Sequence, residues 1–207
     1  MPADLAAYAP YLTRPLLVVQ RDLESYSALL LKWNSAQNLV SRETTDLWAR
    51  HVLDGVQLVK FVTDRDRVLC DIGSGGGLPA IPLAIGVKSA LRRHVLIEPI
   101  GKKAVFLRQV KRQLQLDTAA IVATRVDAAP AISADLVTAR AVTALTDLLG
   151  HVRTVMDPNG RALLHKGREH VDEITAARAK WQFDVIVHAS DIDADGAILE
   201  VRNIRPL

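Results

Sequence analysis

The hydrophobic pattern divides the chain into a helical first part and a second part in which short apolar runs alternate with amphipathic stretches. Up to about residue 60, apolar residues recur at helical spacing. Leu16, Leu23 and Leu30 belong to a first predicted helix, which ends near Trp33-Asn34. A second predicted helix follows the polar residues 41–45, and its apolar positions share one face: Leu47, Val52, Leu53, Val56 and Val59.

Five short apolar runs after residue 66 predict the strands of a parallel sheet. These strands cover residues 67–72, 94–97, 119–123, 135–138 and 161–165, with predicted helices at 79–85, 101–116, 143–156 and 169–180. Two last strands, at 183–188 and 197–202, are joined by a short link containing Asp and Gly. Because that link is too short for a crossover helix, we expect an antiparallel hairpin at the sheet edge. The pattern predicts an α/β fold with a doubly wound, mostly parallel sheet of seven strands.

Composition limits the class of protein. The 207 residues are 49% hydrophobic and 24% charged, which excludes a disordered or fibrous chain. We expect a single domain over 1–207, with 1–60 as an N-terminal helical extension packed on the sheet. One cysteine excludes an internal disulfide and a zinc site built of several cysteines. Since neither a signal peptide nor an apolar run of about 20 residues is present, we expect a soluble, cytoplasmic protein that binds no membrane.

Positive charge is concentrated in one segment. The net charge is only +3, yet residues 88–112 contain eight basic residues and one acid, Glu98. Such a concentration favours a polyanionic partner, and a solvated helix face is the alternative reading. The basic residues are Lys88, Arg92, Arg93, Lys102, Lys103, Arg108, Lys111 and Arg112.

A glycine-rich motif follows the first predicted strand. Asp71 precedes Gly73, Gly75 and Gly77, a spacing that allows close approach of the backbone to a ligand. A dinucleotide-binding fingerprint fails because its last glycine would fall on Leu78, and no Gly-Lys-Ser/Thr follows for a phosphate-binding loop. An acid two residues before the first glycine fits S-adenosylmethionine better, since this cofactor carries an ammonium and a sulfonium and no phosphate. The alternative is a tight turn capped by Asp71.

Two further acids follow predicted strands on the cofactor side of the sheet. Glu98 ends the second strand, where an acid can bind ribose hydroxyls in this architecture, and its alternative role is a surface ion pair with Lys102 or Lys103. Asp127 follows the third strand, and its carboxylate can accept a hydrogen bond from an adenine amino group. The alternative for Asp127 is a loop turn residue.

Two cations end the fourth and fifth predicted strands. Arg140 and Lys166 are expected on the carboxyl edge of the sheet, where both can line one acceptor cleft. The alternatives are an Arg140 salt bridge to Asp135 or Asp147, and an ordinary exposed Lys166. No metal site is predicted, because the histidines share no metal-ligand spacing: His51, His165 and His170.

Motifs outside the glycine loop make the sequence similar to one bacterial family. The sequence resembles, from about Leu29 to its end, the methyltransferases that modify N7 of a guanine in small-subunit (16S) ribosomal RNA, the RsmG or glucose-inhibited division protein B family. The Trp-Asn…Asn-Leu and Arg-His-x-Leu-Asp pieces are specific to that family. The pieces are Trp33-Asn34…Asn38-Leu39, Arg50-His51-Val-Leu-Asp54, residues 71–79, Glu98-Pro-Ile-Gly-Lys-Lys103, Arg125-Val-Asp127, Ala139-Arg140-Ala141 and Lys166-Gly167.

The resemblance implies a class I S-adenosylmethionine-dependent methyltransferase fold and a ribosomal RNA or small-subunit partner. Because nothing in the sequence demands a dimer, we expect a monomer. The resemblance also implies a cofactor pocket formed by Asp71, Gly73, Gly75, Gly77, Leu78, Glu98, Asp127 and Arg140. Arg140 and Lys166 are the expected catalytic pair, which positions the substrate without a general base. The expected RNA-binding residues are Arg92, Arg93, Lys102, Lys103, Arg108, Lys111 and Arg112.

Three positions depart from the family pattern. Ala80 replaces a usual glycine, Pro99 a usual hydroxyl residue and Gly55 a usual serine. Two other functions stay open from the residues alone. One is methyl transfer to a small molecule or a protein, and the other is a non-catalytic RNA-binding module with the same fold.

Overall fold

A seven-stranded sheet in the order β3-β2-β1-β4-β5-β7-β6 lies at the centre of the computed structural model, which describes residues 4–41, 46–88, 90 and 92–207. Every strand matches a strand predicted from the sequence. Their bounds are β1 Val68–Ile72, β2 Arg93–Ile97, β3 Ala119–Val122, β4 Ala134–Arg140, β5 Met156–Lys166, β6 Trp181–Ala189 and β7 Ala197–Pro206.

The strand directions bring the ends of several strands to one edge. β1 pairs in parallel with β2 and β4, and Ile72 is in register with Ile97 and Ala139. β5 continues the parallel part beside β4, where Arg140 is in register with His165. β7 then pairs antiparallel with both β5 and β6. The doubly wound sheet and its antiparallel ending are therefore confirmed, and the carboxyl ends of β1, β2, β4 and β5 share one edge.

Helices cover both faces of the sheet because strand residues alternate between the two faces. Leu69, Leu96 and Leu136 pack into a core with α1, α3 and α4. Cys70 and Val95 point to the opposite face and pack with α5 and α6. The helix bounds are α1 Leu16–Gln37, α2 Asp54–Val56, α3 Ala80–Gly86, α4 Gly101–Gln113, α5 Leu145–Val155 and α6 His170–Ala177. Within the described ranges, no helix is both long and apolar enough to cross a membrane.

The N-terminal region departs from the predicted pair of regular helices. The first helix extends to Gln37 and ends at Asn38 in the left-handed conformation, φ 49°. The second is irregular: a π-helical segment, Trp48–Leu53, continues into α2 and then into the 3-10 helix Gln57–Phe61. The predicted polar stretch before it lies partly in residues 42–45, outside the described residues.

The irregular segment approaches α3 closely because residue 55 is a glycine. A Cβ at Gly55 would lie 2.8 Å from the Pro79 carbonyl oxygen and 2.9 Å from Pro82 Cβ. The serine usual in the family would need the backbone to shift here. The absent side chain therefore allows the N-terminal segment to pack directly against the chain that follows the glycine loop.

The fifth strand begins five residues earlier than predicted, at Met156. The predicted turn at 157–160 is present as a local irregularity inside the strand, where the register with β4 shifts between Ala134 and Leu136. The Asp157 carboxylate accepts a hydrogen bond from the Asn159 amide nitrogen at 2.9 Å, which is a typical turn contact. The turn signal was correct, but the strand continues through it.

Candidate functional site

The glycine loop after β1 adopts a conformation that side chains with a Cβ rarely adopt. Gly73, Gly75 and Gly77 have φ values of 67°, 54° and 85°. A Cβ on Gly77 would also lie 2.5 Å from Ile81 Cγ1. The loop therefore needs glycine both for its turn and for the packing of α3 against it.

Asp71 is completely buried beneath this loop. Its Oδ1 accepts a hydrogen bond from Thr138 Oγ1 at 2.6 Å, whereas Oδ2 has no hydrogen-bond partner among the described residues. Burial raises the pKa of this carboxyl to about 7. An unpartnered acceptor under a glycine loop fits a ligand that carries an ammonium group, which is the chemistry of S-adenosylmethionine.

Glu98 follows β2 and is hydrogen-bonded to the backbone of the glycine loop. Its Oε2 accepts the Gly75 amide at 2.7 Å, and its Oε1 accepts the Ile100 amide at 2.8 Å. The carboxylate is buried, and its partners in the described structure are these two amides and neither Lys102 nor Lys103, so the alternative reading of a surface pair is wrong. Each carboxylate oxygen retains a second lone pair for a hydroxyl group. The ribose contact stays a prediction.

The other two predicted cofactor residues differ in exposure. Leu78 is buried directly after the loop. Asp127 lies in the 3-10 helix Val126–Ala128 after β3, exposed and 3.4 Å from Arg125 Nε. Both are at the edge of the sheet that the sequence predicts for the cofactor, and their contacts with it remain predictions.

A cleft of about 900 Å³ opens at the carboxyl ends of β4 and β5. One wall contains Arg50, His51 and Asp54 from the irregular N-terminal segment. Arg140 and Lys166 also line the cleft, as does the link between β6 and β7. The sequence prediction that both cations line one cleft is therefore confirmed, while their catalytic role is a separate matter.

Arg140 is held by the N-terminal segment. Its Nη1 lies 2.7 Å from Asp54 Oδ2. Its Nη2 donates to the Arg50 carbonyl oxygen at 3.1 Å and lies 2.8 Å from His51 Nδ1. The predicted alternative partners are wrong: Asp135 lies at the other end of β4, where it accepts the Val68 amide at 2.8 Å, and Asp147 forms no ion pair in the described structure.

Asp54 is the centre of a polar cluster. Gln57 Nε2 donates to Asp54 Oδ1 at 2.6 Å, and His165 Nε2 lies 3.0 Å from the Asp54 carbonyl oxygen. Burial and the charge of Arg140 lower the pKa of His51 to about 4, and burial also lowers that of His165. Both imidazoles are therefore neutral at pH 7. In the part of the chain that is described, no group of three or more His, Cys, Asp or Glu side chains is arranged to hold a metal ion.

Lys166 is tied to α6. Its Nζ donates to Glu173 Oε2 at 2.6 Å and to the Thr143 carbonyl oxygen at 2.9 Å. Glu173 also accepts the Leu145 amide at 2.6 Å, so it connects the start of α5 with α6. The side chain of Lys166 is only 8% exposed, and the alternative of an ordinary exposed lysine is wrong.

The predicted RNA-binding residues are divided between two edges of the sheet. α4 begins beside the carboxyl end of β2 and runs back, so Lys102 and Lys103 lie near the cofactor edge and Arg112 near the opposite one. Arg92 precedes β2 and Arg93 is its first residue, so both lie at that opposite edge. Arg92, Arg93, Lys102, Arg108 and Arg112 are exposed, whereas Lys103 and Lys111 are half-buried.

Comparison with known proteins shows the family to which the chain belongs. The sequence matches the GidB family, described as rRNA small subunit methyltransferase G, over residues 19–195. The chain belongs to this family. The ribosomal RNA small subunit methyltransferase G of Cereibacter sphaeroides is 42% identical over 183 residues, which are 87% of this chain and 88% of the relative. That of Rhodospirillum centenum is 44% identical over 186 residues, 89% of this chain and 84% of the relative.

Solved structures confirm the class I methyltransferase fold of this GidB-family chain. A SAM dependent methyltransferase from Aquifex aeolicus matches with a TM-score of 0.61 at 10% identity, over 86% of this chain and 98% of the other. M. jannaschii TYW2 in complex with AdoMet matches with a TM-score of 0.55 at 14% identity, over 79% of this chain and 80% of the other. At these identities the likeness shows the fold alone.

Sequence reasoning missed the acids that hold the two cations. Asp54 belongs to the family-specific Arg-His-x-Leu-Asp motif, which gave a signal for its importance but none for its partner. Glu173 had no signal, because an acid in the first turn of a helix is common for reasons of the helix dipole. Tyr26, whose hydroxyl donates to the Gly76 carbonyl oxygen at 2.6 Å, had the pattern of a core residue of α1.

Proposed function

We propose that this GidB-family chain transfers the methyl group of S-adenosylmethionine to N7 of a guanine in small-subunit ribosomal RNA. Family membership supports the reaction class and the type of RNA. The observation that carries the proposal is a cleft beside the glycine loop in which each catalytic candidate is paired with an acid, Arg140 with Asp54 and Lys166 with Glu173. The alternative acceptors, a small molecule or a protein, are outcomes of the test below.

The cofactor is proposed to bind at the glycine loop. The unpartnered Oδ2 of Asp71 suits the ammonium end, directly or through water. The free lone pairs of Glu98 suit the ribose, and Asp127 suits the adenine amino group. Gly73, Gly75, Gly77 and Leu78 shape the loop around the ligand, and Arg140 lies where the cofactor and the acceptor base meet.

The reaction needs positioning more than proton transfer. When bound, S-adenosylmethionine supplies an electrophilic methyl group, which N7 takes with its in-plane lone pair while the S–CH₃ electron pair stays on sulfur. N7 carries no proton, so the chain needs no general base. Its residues instead hold the base in line, and such alignment supplies about 7–11 kcal/mol of the barrier reduction.

The charge of the cleft suits a base that becomes cationic. The described residues that line it include three basic and four acidic ones, and both histidines are neutral. A site built for phosphate would have an excess of cations. We therefore assign the free Nε donor of Arg140 to guanine O6, which accepts hydrogen bonds, in preference to a phosphate. The lining charges are Arg50, Arg140 and Lys166 against Asp54, Glu169, Glu173 and Asp193.

The RNA backbone is proposed to contact the chain outside the cleft, through the exposed basic residues of α4 and of the start of β2. We propose that residues 1–207 act as one unit and as a monomer in the cytoplasm, where small subunits are assembled. The helices before residue 60 would then form part of the RNA-facing side, since they already supply a wall of the cleft.

The test is transfer of labelled methyl from S-adenosylmethionine to small ribosomal subunits from a strain that lacks this activity. Naked ribosomal RNA, free guanosine and total protein serve as competing acceptors. Label in the subunit RNA supports the proposal. Label in protein or in the small molecule supports the alternative enzyme, and cofactor binding without transfer supports a non-catalytic module.

Arg140→Ala is expected to lower kcat/KM for this transfer about 100-fold, because a misplaced acceptor loses alignment. Arg153→Ala is the matched control, an exposed arginine of α5 away from the cleft. The assay is initial rate of label incorporation against subunit concentration. Wild-type rates and RNA affinity for Arg140→Ala would remove Arg140 from the account.

A further inference from the structure

The Arg50–Asp54 segment contacts Arg140 more extensively than a packing motif needs. It lies about 90 residues before Arg140 in the chain, yet three of its groups meet one guanidinium. These are the Arg50 carbonyl oxygen at 3.1 Å, His51 Nδ1 at 2.8 Å and Asp54 Oδ2 at 2.7 Å. Two of the three are side-chain groups, so the sequence of the motif decides whether these contacts form.

The contacts of the Arg140 guanidinium show which of its N–H groups remain available to a ligand. A guanidinium has five N–H donors in a fixed plane. Both hydrogens of Arg140 Nη2 are directed at the Arg50–Asp54 segment, and Nη1 is buried beside the Asp54 carboxylate in an ion pair without an aligned hydrogen bond. The Nε hydrogen makes no hydrogen bond with the described residues, and Arg140 lines the cleft. The segment therefore fixes the guanidinium plane and with it the direction of the Nε donor.

Asp54 is itself rigidly held. Its side chain is 10% exposed, Gln57 donates to its Oδ1 at 2.6 Å, and the buried His165 contacts its backbone. A neutral side chain at position 54 would leave the Arg140 guanidinium without its counter-charge, held only by the Arg50 carbonyl oxygen and His51. Glu169, Glu173 and Asp193 line the same cleft and would then compete for it.

We propose that Asp54 is a positioning residue, whose carboxylate orients Arg140 so that its free Nε donor meets the acceptor base. This inference rests on the proposed methyl transfer and assigns the Arg-His-x-Leu-Asp motif a role in it. Asp54 does not touch the reacting atoms. It acts through Arg140, and its effect depends on Arg140 being present.

Asp54→Asn is the first test, because asparagine keeps the size and removes the charge. Asp66→Asn is the matched control: Asp66 is equally buried and lies 2.7 Å from Arg161, in a cluster with Thr63 at the opposite edge of the sheet. We expect Asp54→Asn to lower kcat/KM about 100-fold. Asp66→Asn should lower thermal stability while each folded molecule keeps wild-type turnover.

A double variant separates positioning from a loss of folding. In an Arg140→Ala background, Asp54→Asn should cause no further loss of kcat/KM, because the residue through which it acts is absent. Losses that multiply would overturn the proposal, as would wild-type kcat/KM for Asp54→Asn. Rates are normalised to the folded fraction from circular dichroism.

His51→Ala provides a second route if Asp54→Asn does not fold. It removes the Nδ1 acceptor and should lower kcat/KM in the wild-type background but not in the Arg140→Ala background. Equal losses in both backgrounds would overturn the proposal. A wild-type chain that transfers no methyl group to small subunits overturns the proposed function and this inference with it, whereas an active wild type with additive losses overturns the inference alone.

Discussion

Asp54 and Asp71 are both buried carboxylates, and they differ in what faces them. Asp54 meets a guanidinium and an amide, so its charge is compensated. Asp71 accepts a hydrogen bond from the Thr138 hydroxyl group, and its Oδ2 has no hydrogen-bond partner among the described residues. A buried charge without a partner destabilises the folded state. We interpret Asp71 as a group whose partner is supplied by the bound cofactor.

Asp71→Asn should stabilise the ligand-free protein. The pKa of Asp71 in the folded state, about 7, lies above the ordinary value of 3.8. Between about pH 4 and pH 7 the folded state therefore binds a proton that the unfolded state has lost. The free energy of unfolding falls as pH rises through this range. Removal of the charge should raise that free energy at pH 8 by roughly 2–4 kcal/mol, since one pKa unit corresponds to about 1.4 kcal/mol. Urea unfolding at pH 5 and pH 8 measures this, and the gain should be larger at pH 8.

The same variant should bind S-adenosylmethionine more weakly in calorimetry, because an amide cannot neutralise an ammonium. Asp66→Asn is again the control, and it should lose stability without losing cofactor affinity. If Asp71→Asn instead lost stability at pH 8 and kept its cofactor affinity, Asp71 would be a structural cap of the turn.

At the scale of elements, α1 covers the glycine loop. The Tyr26 hydroxyl group donates to the Gly76 carbonyl oxygen at 2.6 Å, and Leu30 Cδ1 lies 3.1 Å from the position of a Cβ on Gly76. Tyr26 and Leu30 are both fully buried. The N-terminal helix therefore supports the glycine loop on one side, and the segment that follows it supports Arg140 on the other.

Tyr26→Phe should lower the free energy of unfolding by about 1–3 kcal/mol, because it leaves a buried carbonyl oxygen without a donor. Cofactor affinity should fall as well, since the loop loses one of its supports. Tyr11→Phe, at a tyrosine that is 47% exposed, is the control for loss of a hydroxyl group. Wild-type affinity and stability for Tyr26→Phe would mean that α1 only packs beside the loop.

Elements with a strong hydrophobic period were predictable, and those defined by tertiary contacts were not. The strands and α4 follow from local patterns, and Phe106, Leu107 and Val110 form the buried face of α4 as expected. The segment from Trp48 to Phe61 has the apolar spacing of a regular helix, yet its helix is irregular. Gly55 in this segment packs closely against Pro79 and Pro82, a tertiary contact that the spacing does not indicate. Long-range pairing explains the missed site residues, because nothing local in the sequence indicates that Asp54 meets Arg140.

At the scale of the whole molecule, the direction of α4 determines where its charges can act. A helix that returns from one edge of the sheet to the other cannot present all of its basic residues to one cleft. Lys102 and Lys103 lie at the edge where the cleft opens, and Arg92 and Arg93 lie at the other edge. An RNA bound at the cleft should therefore contact the two pairs unequally.

We expect Lys102→Ala/Lys103→Ala to weaken small-subunit RNA binding more than Arg92→Ala/Arg93→Ala does. Each phosphate contact contributes roughly 0.7–0.9 to the slope of log affinity against log salt concentration, so the lysine pair should lower the slope by about 1–2. Filter binding over a series of salt concentrations measures it. Equal effects of the two pairs would mean that the RNA spans both edges, and a flat salt dependence of the wild type would remove α4 from the RNA interface.

The most direct measurement is the chemical identity of the methylated atom. Small subunits that lack the modification are labelled with S-adenosylmethionine and this chain, and the RNA is digested to nucleosides and analysed by mass and by the cleavage chemistry specific to N7-methylated guanine. A cleft in which Arg140 and Lys166 are each paired with an acid, and whose reaction needs no general base, predicts one labelled nucleoside, 7-methylguanosine. Label on a ribose hydroxyl, an exocyclic amine or a pyrimidine carbon would contradict the account, because each of those acceptors must lose a proton.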